Sequence, residues 1–446
     1  MFVAHITEKY FDEIVEKTAE IVRFDSSLKP AEGEFPFGKE TADCLQYFLN
    51  LASSFGFETK NYDNYVGEVV FGEGEPFAIL AHLDVVPAGK GWKYPPFGGV
   101  INDDVSDGGM TGKKIWGRGT MDDKGPAVAT LYALKALKDE GFTPNRKIQF
   151  ILGCNEESGW ACIDHYNQVA KMPEEGISPD ANFPAIYAEG GILHFTAKFP
   201  IENPPFLTFT GGEKVNMVCD EAEATVTETT AKAFQSYQNS FAGVTLFLDE
   251  ENGKITAKGK SAHGSTPQMG ANAMGGLLQF FATQNPDCKK AYDILFDDVL
   301  ALKTIEDQTG VLTMSPDVVS FENGVLSVTV DVRFPATKKK EDVLSRLDNA
   351  KIPYGNIRYQ APLYNDPNGK LVSVLMSVYN QATGGNEPPI AIGGGTYARA
   401  LKNGCAFGPE MPGEEATIHQ PNEYVTFDNL RFMTKMYYEA IKKLTE

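Results

Sequence analysis

Cysteine is scarce in this sequence, and its spacing excludes two kinds of site. Six cysteines are scattered over 446 residues, and no two of them form a CxxC pair. Structural zinc sites and disulfide frameworks both need cysteines at short, recurring spacings. We therefore expect free, buried thiols in a reducing, cytoplasmic environment. Cys154 is interpreted as a strand residue and not as a metal ligand.

Long apolar runs and an excess of positive charge are also missing. No run of about 18 apolar residues occurs, so no transmembrane helix is predicted. The first residues, MFVAHITEKY, lack the basic and apolar regions of a signal peptide, and we expect none. Lys and Arg number 40 against 60 Asp and Glu, a formal net charge of −20. Such a charge repels nucleic acid and anionic membranes, so neither is expected as a partner.

The length and the periodicity of the apolar residues indicate two domains. Before residue 190, amphipathic helices alternate with apolar strands, which is typical of an α/β domain with a largely parallel sheet. From 192 to about 360, apolar and polar residues alternate, which predicts antiparallel strands. Helices predicted at 271–284 and 340–349 interrupt them, so this region is predicted to be an α+β domain. We predict one domain formed by residues 1–190 and 381–446, with 191–380 inserted. The predicted elements of the first domain are helices 8–24, 39–55, 124–140 and 427–444 and strands 66–71, 76–84 and 147–153.

Polar residues end two of the buried strands. His82 and Asp84 end the strand 76–84, and Glu156 and Glu157 follow the next one. In α/β sheets ligands bind at the carboxyl ends of the strands. A neutral imidazole binds zinc well, and a nearby carboxylate can orient its ring. Of two adjacent glutamates, one can bind a metal while the other stays free as a base. The alternatives are a structural histidine and an acidic helix N-terminus.

A glycine-rich turn, GRGTMDDKGP, carries two adjacent aspartates, Asp122 and Asp123. Two such charges are costly unless a cation or hydrogen-bond donors receive them. The alternative is an acidic turn that caps the helix 124–140. Asp180 in SPDANFP and His419 in IHQ each offer one further ligand. Oxygen and nitrogen ligands without a thiolate suit zinc, manganese or cobalt, and five ligands with one bridging carboxylate suit a two-metal site.

These residues belong to a set of motifs that resembles one enzyme family. The chain is similar to the dinuclear zinc peptidases and amidohydrolases that include aminoacylase, the carboxypeptidase that cleaves glutamate from folate, and succinyl-diaminopimelate desuccinylase. It looks most like the bacterial PepV-type dipeptidases, the group of the Xaa-His (carnosine-cleaving) enzymes. The motifs span residues 81–423 and read AHLDVVPAG, GRGTMDDKGP, EES, SPDANFP, NMVCD, GKSAHGSTP, VDVRFP, GGGTYAR and IHQPNE.

The resemblance implies a role for each matching residue of the first domain. It implies two Zn²⁺ ions, with Mn²⁺ or Co²⁺ as alternatives. His82 and Asp180 would hold one ion, and Glu157 and His419 the other. Asp122 would bridge the two ions, Asp84 would orient His82, and Glu156 would act as the general base.

For the inserted domain, the resemblance implies a lid that binds the substrate. His263 would stabilise the oxyanion, while Asn216 and Arg333 would grip the substrate. Arginine binds a carboxylate through two parallel hydrogen bonds, although Arg333 could also be a plain surface residue. Backbone donors for the same carboxylate would come from Gly393, Gly394 and Gly395. The remaining histidines, including His194, are interpreted as structural.

We therefore expect a metal-dependent dipeptidase that acts on small, unblocked dipeptides, and a monomer. An N-acyl amino acid deacylase or desuccinylase of the same family is the first alternative. A metal-binding regulatory protein without catalytic activity is the second, and the presence of Glu156 argues against it. The acidic, glycine-rich stretch 101–114 is longer than the hairpin usual in the family; it is predicted to be a surface loop, and its role is unexplained.

Overall fold

The computed structural model describes residues 8–103, 112–414 and 417–446, and the chain divides into two compact units. Unit 1 comprises residues 1–187, 365–390 and 395–446, and unit 2 comprises 188–364 and 391–394. The helix Lys370–Thr383, which the sequence assigned largely to the inserted domain, lies in unit 1, because its apolar face packs on the final helix. Residues 104–111 of the predicted acidic loop lie outside the described residues.

The large sheet of unit 1 is parallel only at its centre. The four central strands run parallel, and each strand farther out pairs in an antiparallel manner with its inner neighbour. The two strands at one edge are joined by a turn at residues 63–65, which is too short for a parallel crossover. The prediction of a largely parallel sheet therefore holds for the centre alone. The strands lie in the order Glu58–Tyr62, Val66–Phe71, Arg146–Gly153, Glu75–His82, Glu175–Ser178, Asn403–Phe407 and Ala185–Glu189.

One helix of unit 1, Lys124–Asp139, is buried along nearly its whole length. It packs against the first helix and against the last helix, whose N-terminus is capped by the Thr426 hydroxyl. Because the neighbouring helices hold this helix in place, the acidic turn that precedes the helix has a fixed position. The helices of unit 1 are Phe11–Ile21, Lys39–Ser54, Lys124–Asp139, Ala161–Val169, Lys370–Thr383 and Phe427–Thr445, with a short 3-10 helix at Tyr397–Ala400. Further short strands are Val100–Asn102, Lys114–Trp116, Ala181–Asn182, Pro409–Glu410 and Tyr424–Thr426.

Unit 2 contains an antiparallel sheet of eight strands, as the alternating pattern predicts. Val328, Val330 and Val332 are fully buried in its core. Since successive side chains of a strand point to opposite faces, Asp331 and Arg333 lie on the other face. The strands are, in order across the sheet, Thr245–Asp249, Lys254–Lys258, Glu221–Val226, Phe206–Gly211, Thr313–Glu322, Val325–Phe334, Gly191–Pro200 and Tyr354–Gln360.

Four helices pack on the apolar side of this sheet, and two 3-10 turns connect elements of the same unit. The helix predicted at 271–284 extends from Ala273 to Ala282, and that at 340–349 has the predicted bounds. The helices are Glu228–Phe234, Ala273–Ala282, Pro286–Leu295 and Lys340–Asn349, and the 3-10 turns are Pro267–Met269 and Leu302–Thr304. The short strands Glu306–Asp307 and Gly310–Val311 pair with each other, whereas Leu363–Tyr364 and Ile390–Ile392 pair with Ala185–Glu189 in the large sheet described above.

Two expectations concern the chain as a whole. All six cysteines are buried and free, as predicted. Among the described residues, the helices are all too short or too polar to cross a lipid bilayer.

Candidate metal centre

Three neighbouring parallel strands carry polar residues to one edge of the unit 1 sheet. The strands are Glu75–His82, Arg146–Gly153 and Glu175–Ser178, and His82 pairs directly with Gly153. Because the carboxyl ends of parallel strands meet at the same edge, residues at or just beyond these ends come together. They are His82, Asp84, Glu156, Glu157 and Asp180.

Asp122 lies between the two histidines of the predicted ligand set. His82 Nε2 is 2.9 Å from Asp122 Oδ1, and His419 Nε2 is 2.8 Å from Asp122 Oδ2. Each carboxylate oxygen thus faces a different imidazole, which is the arrangement that a bridging ligand requires. His82 Nε2 also lies 3.6 Å from Asp180 Oδ1, and His419 Nε2 lies 3.0 Å from Glu157 Oε1. The structure therefore brings all five predicted ligands into one cluster.

The distances leave the assignment of ligands to individual ions open. Donor atoms of His82, Asp122 and Glu157 all lie within 4.8 Å of one another. The same holds for His82, Glu156 and Asp180. Glu156, predicted to be a base, is therefore also within reach of a cation.

Buried carboxylates dominate the electrostatics of the cluster. Burial raises the pKa of Asp180 to about 7, against the opposing effect of His82. Burial and the neighbouring Asp180 raise the pKa of Glu156 well above its usual range. Hydrogen bonds to Asp122 and Glu157 raise the pKa of His419 to about 10. Burial thus makes the carboxylates of the cluster costly to ionise, and the mixed oxygen and nitrogen donor set fits divalent zinc, manganese or cobalt.

Asp84 makes a different contact from the predicted one. Its backbone carbonyl, rather than its carboxylate, lies nearest to His82 Nδ1, at 2.9 Å. A proton on Nδ1 that is donated to this carbonyl leaves Nε2 free to bind a cation. The Asp84 carboxylate, 3.6 Å from Nδ1, accepts the backbone N–H groups of Glu156 and Glu157 at 2.9 and 3.1 Å. Asp84 therefore orients His82 and also fixes the turn that carries both glutamates.

Sequence reasoning missed a buried ion pair that joins the two segments carrying Asp122 and His419. Glu423 is fully buried, and its Oε2 accepts Arg118 Nη1 at 2.6 Å. Its Oε1 accepts the backbone N–H groups of Gly119 and Met121, at 2.9 and 3.0 Å. Both partners stand in recognised motifs, GRGTMDDKGP and IHQPNE, but no spacing rule links residues so far apart in sequence. The pair holds the glycine turn immediately before Asp122.

Asp123 is a second buried carboxylate beside the cluster. Its Oδ2 accepts the backbone N–H of His82 at 3.1 Å, so it fixes the end of the strand from which His82 projects. Its Oδ1 has no hydrogen-bond partner among the described residues. The cost of burying this negative charge falls if a cation lies near.

In unit 2 the predicted substrate residues also come together. The Asn216 carbonyl accepts the backbone N–H of Gly264 at 2.7 Å, which places Asn216 beside the turn of His263. Arg333 is only 6% exposed, and Asp331 binds its Nε and Nη2 at 2.8 and 2.9 Å, so it is not a plain surface residue. Gly393, also in unit 2, lies beside Arg333, whereas Gly394 contacts Ile392 and Gly395 lies in unit 1.

His263 and His194 differ in their surroundings. The backbone N–H of Ser265 donates to His263 Nδ1 at 3.1 Å, so the neutral ring carries its proton on Nε2. Burial and the nearby Arg333 lower the pKa of His263, which favours that neutral ring. His194, interpreted from the sequence as structural, has its Nε2 3.2 Å from Asp331 Oδ1. It therefore contacts the same carboxylate that binds Arg333.

Comparisons with known proteins show the family to which this chain is similar. A family profile described as "Peptidase family M20/M25/M40" matches residues 78–443. A protein of Staphylococcus epidermidis described as "Putative dipeptidase" is 35% identical, over 95% of this chain and 94% of that protein.

Two solved structures have a similar fold. Human carnosine dipeptidase 1 aligns with a TM-score of 0.58 and 14% identity, over 99% of this chain and 98% of the other. Aminopeptidase PepT from Bacillus cereus aligns with a TM-score of 0.59 and 13% identity, over 98% and 99%. At such identities the likeness shows the fold, a catalytic domain with an inserted domain, and nothing finer.

Proposed function

Because this chain belongs to the peptidase family M20/M25/M40 and is thus a metallopeptidase, we propose that it is a dipeptidase that hydrolyses the peptide bond of unblocked dipeptides. One observation carries the proposal: the Asp122 carboxylate lies between His82 and His419, with Glu156 beside the same cluster. The names of the staphylococcal relatives support the substrate class.

We propose that the cluster binds two Zn²⁺ ions, with Mn²⁺ or Co²⁺ as alternatives. Asp122 would be shared, His82 and Asp180 would hold one ion, and Glu157 and His419 the other. The resemblance to the family supplies this pairing, and each histidine lies near its proposed partner, at 3.6 and 3.0 Å. Such ions supply a Lewis acid for the scissile carbonyl and lower the pKa of water.

In the proposed mechanism Glu156 moves the proton. It accepts the proton of the attacking water and donates it to the leaving amine. Its raised pKa in this buried cluster suits a group that must both take up and release a proton.

We propose that residues of unit 2 bind the substrate. His263 would donate its Nε2–H to the oxyanion, and the Ser265 contact that fixes its tautomer supports this role. Arg333, with Asn216 and backbone N–H groups of residues 393–395, would bind the C-terminal carboxylate of the dipeptide. Asp331 holds the Arg333 guanidinium in one orientation, which lowers the entropy lost on binding.

Hydrolysis of a small substrate panel tests the proposal. Protein stripped of metal and reloaded with zinc, manganese or cobalt is expected to cut free dipeptides, but not a tripeptide or N-acetyl and N-succinyl amino acids. Cleavage of the N-acyl compounds alone would keep the fold and the metal centre and replace the substrate class with that of a deacylase or desuccinylase. Metal binding without cleavage of any amide would indicate a regulatory protein.

We further propose a monomer, which the resemblance to the PepV-type dipeptidases implies for an inserted domain of this size. Light scattering is expected to give the mass of one chain at all concentrations, and a stable dimer would contradict it. A cytoplasmic location is proposed as well, supported by six buried free thiols, and cell fractionation would test it.

A further inference from the structure

Trp160 has a backbone conformation that rarely suits its side chain. Its φ of 67° and ψ of 19° lie in the left-handed region, immediately before the helix Ala161–Val169. For a bulky residue this conformation is an outlier, whereas glycine or asparagine adopts it readily. The neighbouring chain enforces it: Trp160 N donates to Asn155 O at 2.8 Å, and Ala161 N donates to Asn155 Oδ1 at 3.1 Å. A tryptophan in such a strained conformation indicates that its side chain has a functional role.

The indole group of Trp160 contacts the proposed base directly. Its Nε1–H donates to Glu156 Oε1 at 3.0 Å. The other two tryptophans of the chain are described as well, and their indoles donate to the Ala88 carbonyl and the Asn102 side chain. Of the three, Trp160 is thus the one that donates to a carboxylate.

A buried aromatic side chain fixes the position of the indole. Tyr397 packs edge-on against Trp160, with ring centroids 5.4 Å apart, and also against His82, at 6.2 Å. Tyr397 is itself fully buried. The indole is therefore confined by packing on one side and by its backbone on the other.

Apart from the indole contact, the hydrogen bonds described for Glu156 involve its main chain. Its backbone N–H is bound by Asp84, but this contact leaves the side-chain torsions free. The indole N–H engages Oε1, so Oε2 is the oxygen left to accept a proton. We propose that Trp160 is a positioning residue that fixes the Glu156 carboxylate in the orientation needed for proton transfer. The inference rests on the proposed role of Glu156 as the base.

Trp160→Phe tests the inference, with Trp116→Phe as the matched control. Both changes remove one indole hydrogen bond, from a partly buried ring in Trp160 and from a buried ring in Trp116. The Trp116 bond goes to Asn102, which is not a residue of the cluster. For Trp160→Phe we expect kcat to fall roughly 10- to 100-fold, the range for loss of a hydrogen bond to a charged group. KM and the metal content should stay unchanged, because the indole N–H binds Glu156 and not a proposed metal ligand or substrate-binding residue. Trp116→Phe should keep the wild-type kcat.

A kcat within twofold of wild type for Trp160→Phe would overturn the inference, as would an equal loss in Trp116→Phe or a change in KM alone. Trp160→Asn is the second variant, because asparagine tolerates the left-handed backbone and removes the indole. It should show the same fall in kcat even if Trp160→Phe fails to fold.

Failure of the inference can be told apart from failure of the dipeptidase proposal. If the wild type cuts only N-acyl amino acids, the dipeptidase proposal fails, and the same comparison of variants is made on those substrates. A wild type that cuts no amide overturns both.

Discussion

Glu156→Gln is expected to retain both metal ions and to lose nearly all hydrolysis. The amide has almost the shape of the carboxylate, and it can still accept the hydrogen bond from Trp160. It cannot take up a proton from water, and general-base catalysis contributes about 10²- to 10⁴-fold. We therefore expect kcat on a cleavable dipeptide to fall by about that factor, with little change in KM.

Metal analysis after gel filtration decides between two roles for Glu156. Its carboxylate lies within reach of His82 and Asp180, so it could be a ligand and not the base. A variant that keeps the wild-type metal content but is inactive supports the base. Loss of an ion together with activity would make Glu156 a ligand, and near-normal turnover would refute both roles. Glu16→Gln, an exposed change on the first helix, controls for the loss of one charge.

The elements that place the site could largely be predicted from the sequence. Buried parallel strands are continuous apolar runs, and the polar residues at their ends must meet at one sheet edge. This reasoning located His82, Glu156 and Glu157 without any three-dimensional information. The sequence also predicts that Asp122 lies at the start of a helix. It does not predict that Asp122 lies between two histidines, because His419 is far away in sequence.

Contacts between distant segments account for what the sequence did not predict. The ion pair of Arg118 with Glu423 and the orientation of Arg333 by Asp331 depend on tertiary packing, which leaves no periodic signal. The contact of Trp160 with Glu156 spans only four residues, yet it needs a left-handed backbone that tryptophan does not favour. Here tertiary structure overrides local preference, and such conflicts tend to occur at functional sites.

The predicted end of the inserted domain, residue 380, differs from the unit boundary after residue 364 for a related reason. The pattern of Lys370–Thr383 is that of any amphipathic helix and does not reveal which core it covers. Only its packing on Phe427–Thr445 assigns it to unit 1. The antiparallel outer strands of the unit 1 sheet were likewise hidden, since strand direction is set by connections and not by composition.

Asp122→Asn is expected to have the largest effect on the metal centre. The amide keeps one oxygen, but an NH₂ group replaces the other and would face one of the two histidines. It cannot bridge two cations, and it removes a negative charge from between them. Bound zinc should fall from two ions per chain to one or none, and hydrolysis should fall by about 1,000-fold or more, which corresponds to the several kcal/mol that metal ions contribute.

Thermal unfolding gives a readout of Asp122→Asn that does not depend on catalysis. With zinc bound to the folded chain as proposed, each ion should stabilise the wild type by about 2.7 kcal/mol at a free concentration of 100 times its Kd, and the variant should be stabilised by less at the same concentration. Asp164→Asn, an exposed change on the helix Ala161–Val169, should respond to zinc as the wild type does. Two zinc ions in Asp122→Asn, with a wild-type response, would show that Asp122 does not bridge. The two ions would then have to be held separately, by ligand sets such as His82 with Asp180 and His419 with Glu157, and the shared carboxylate that carries the dipeptidase proposal would be lost.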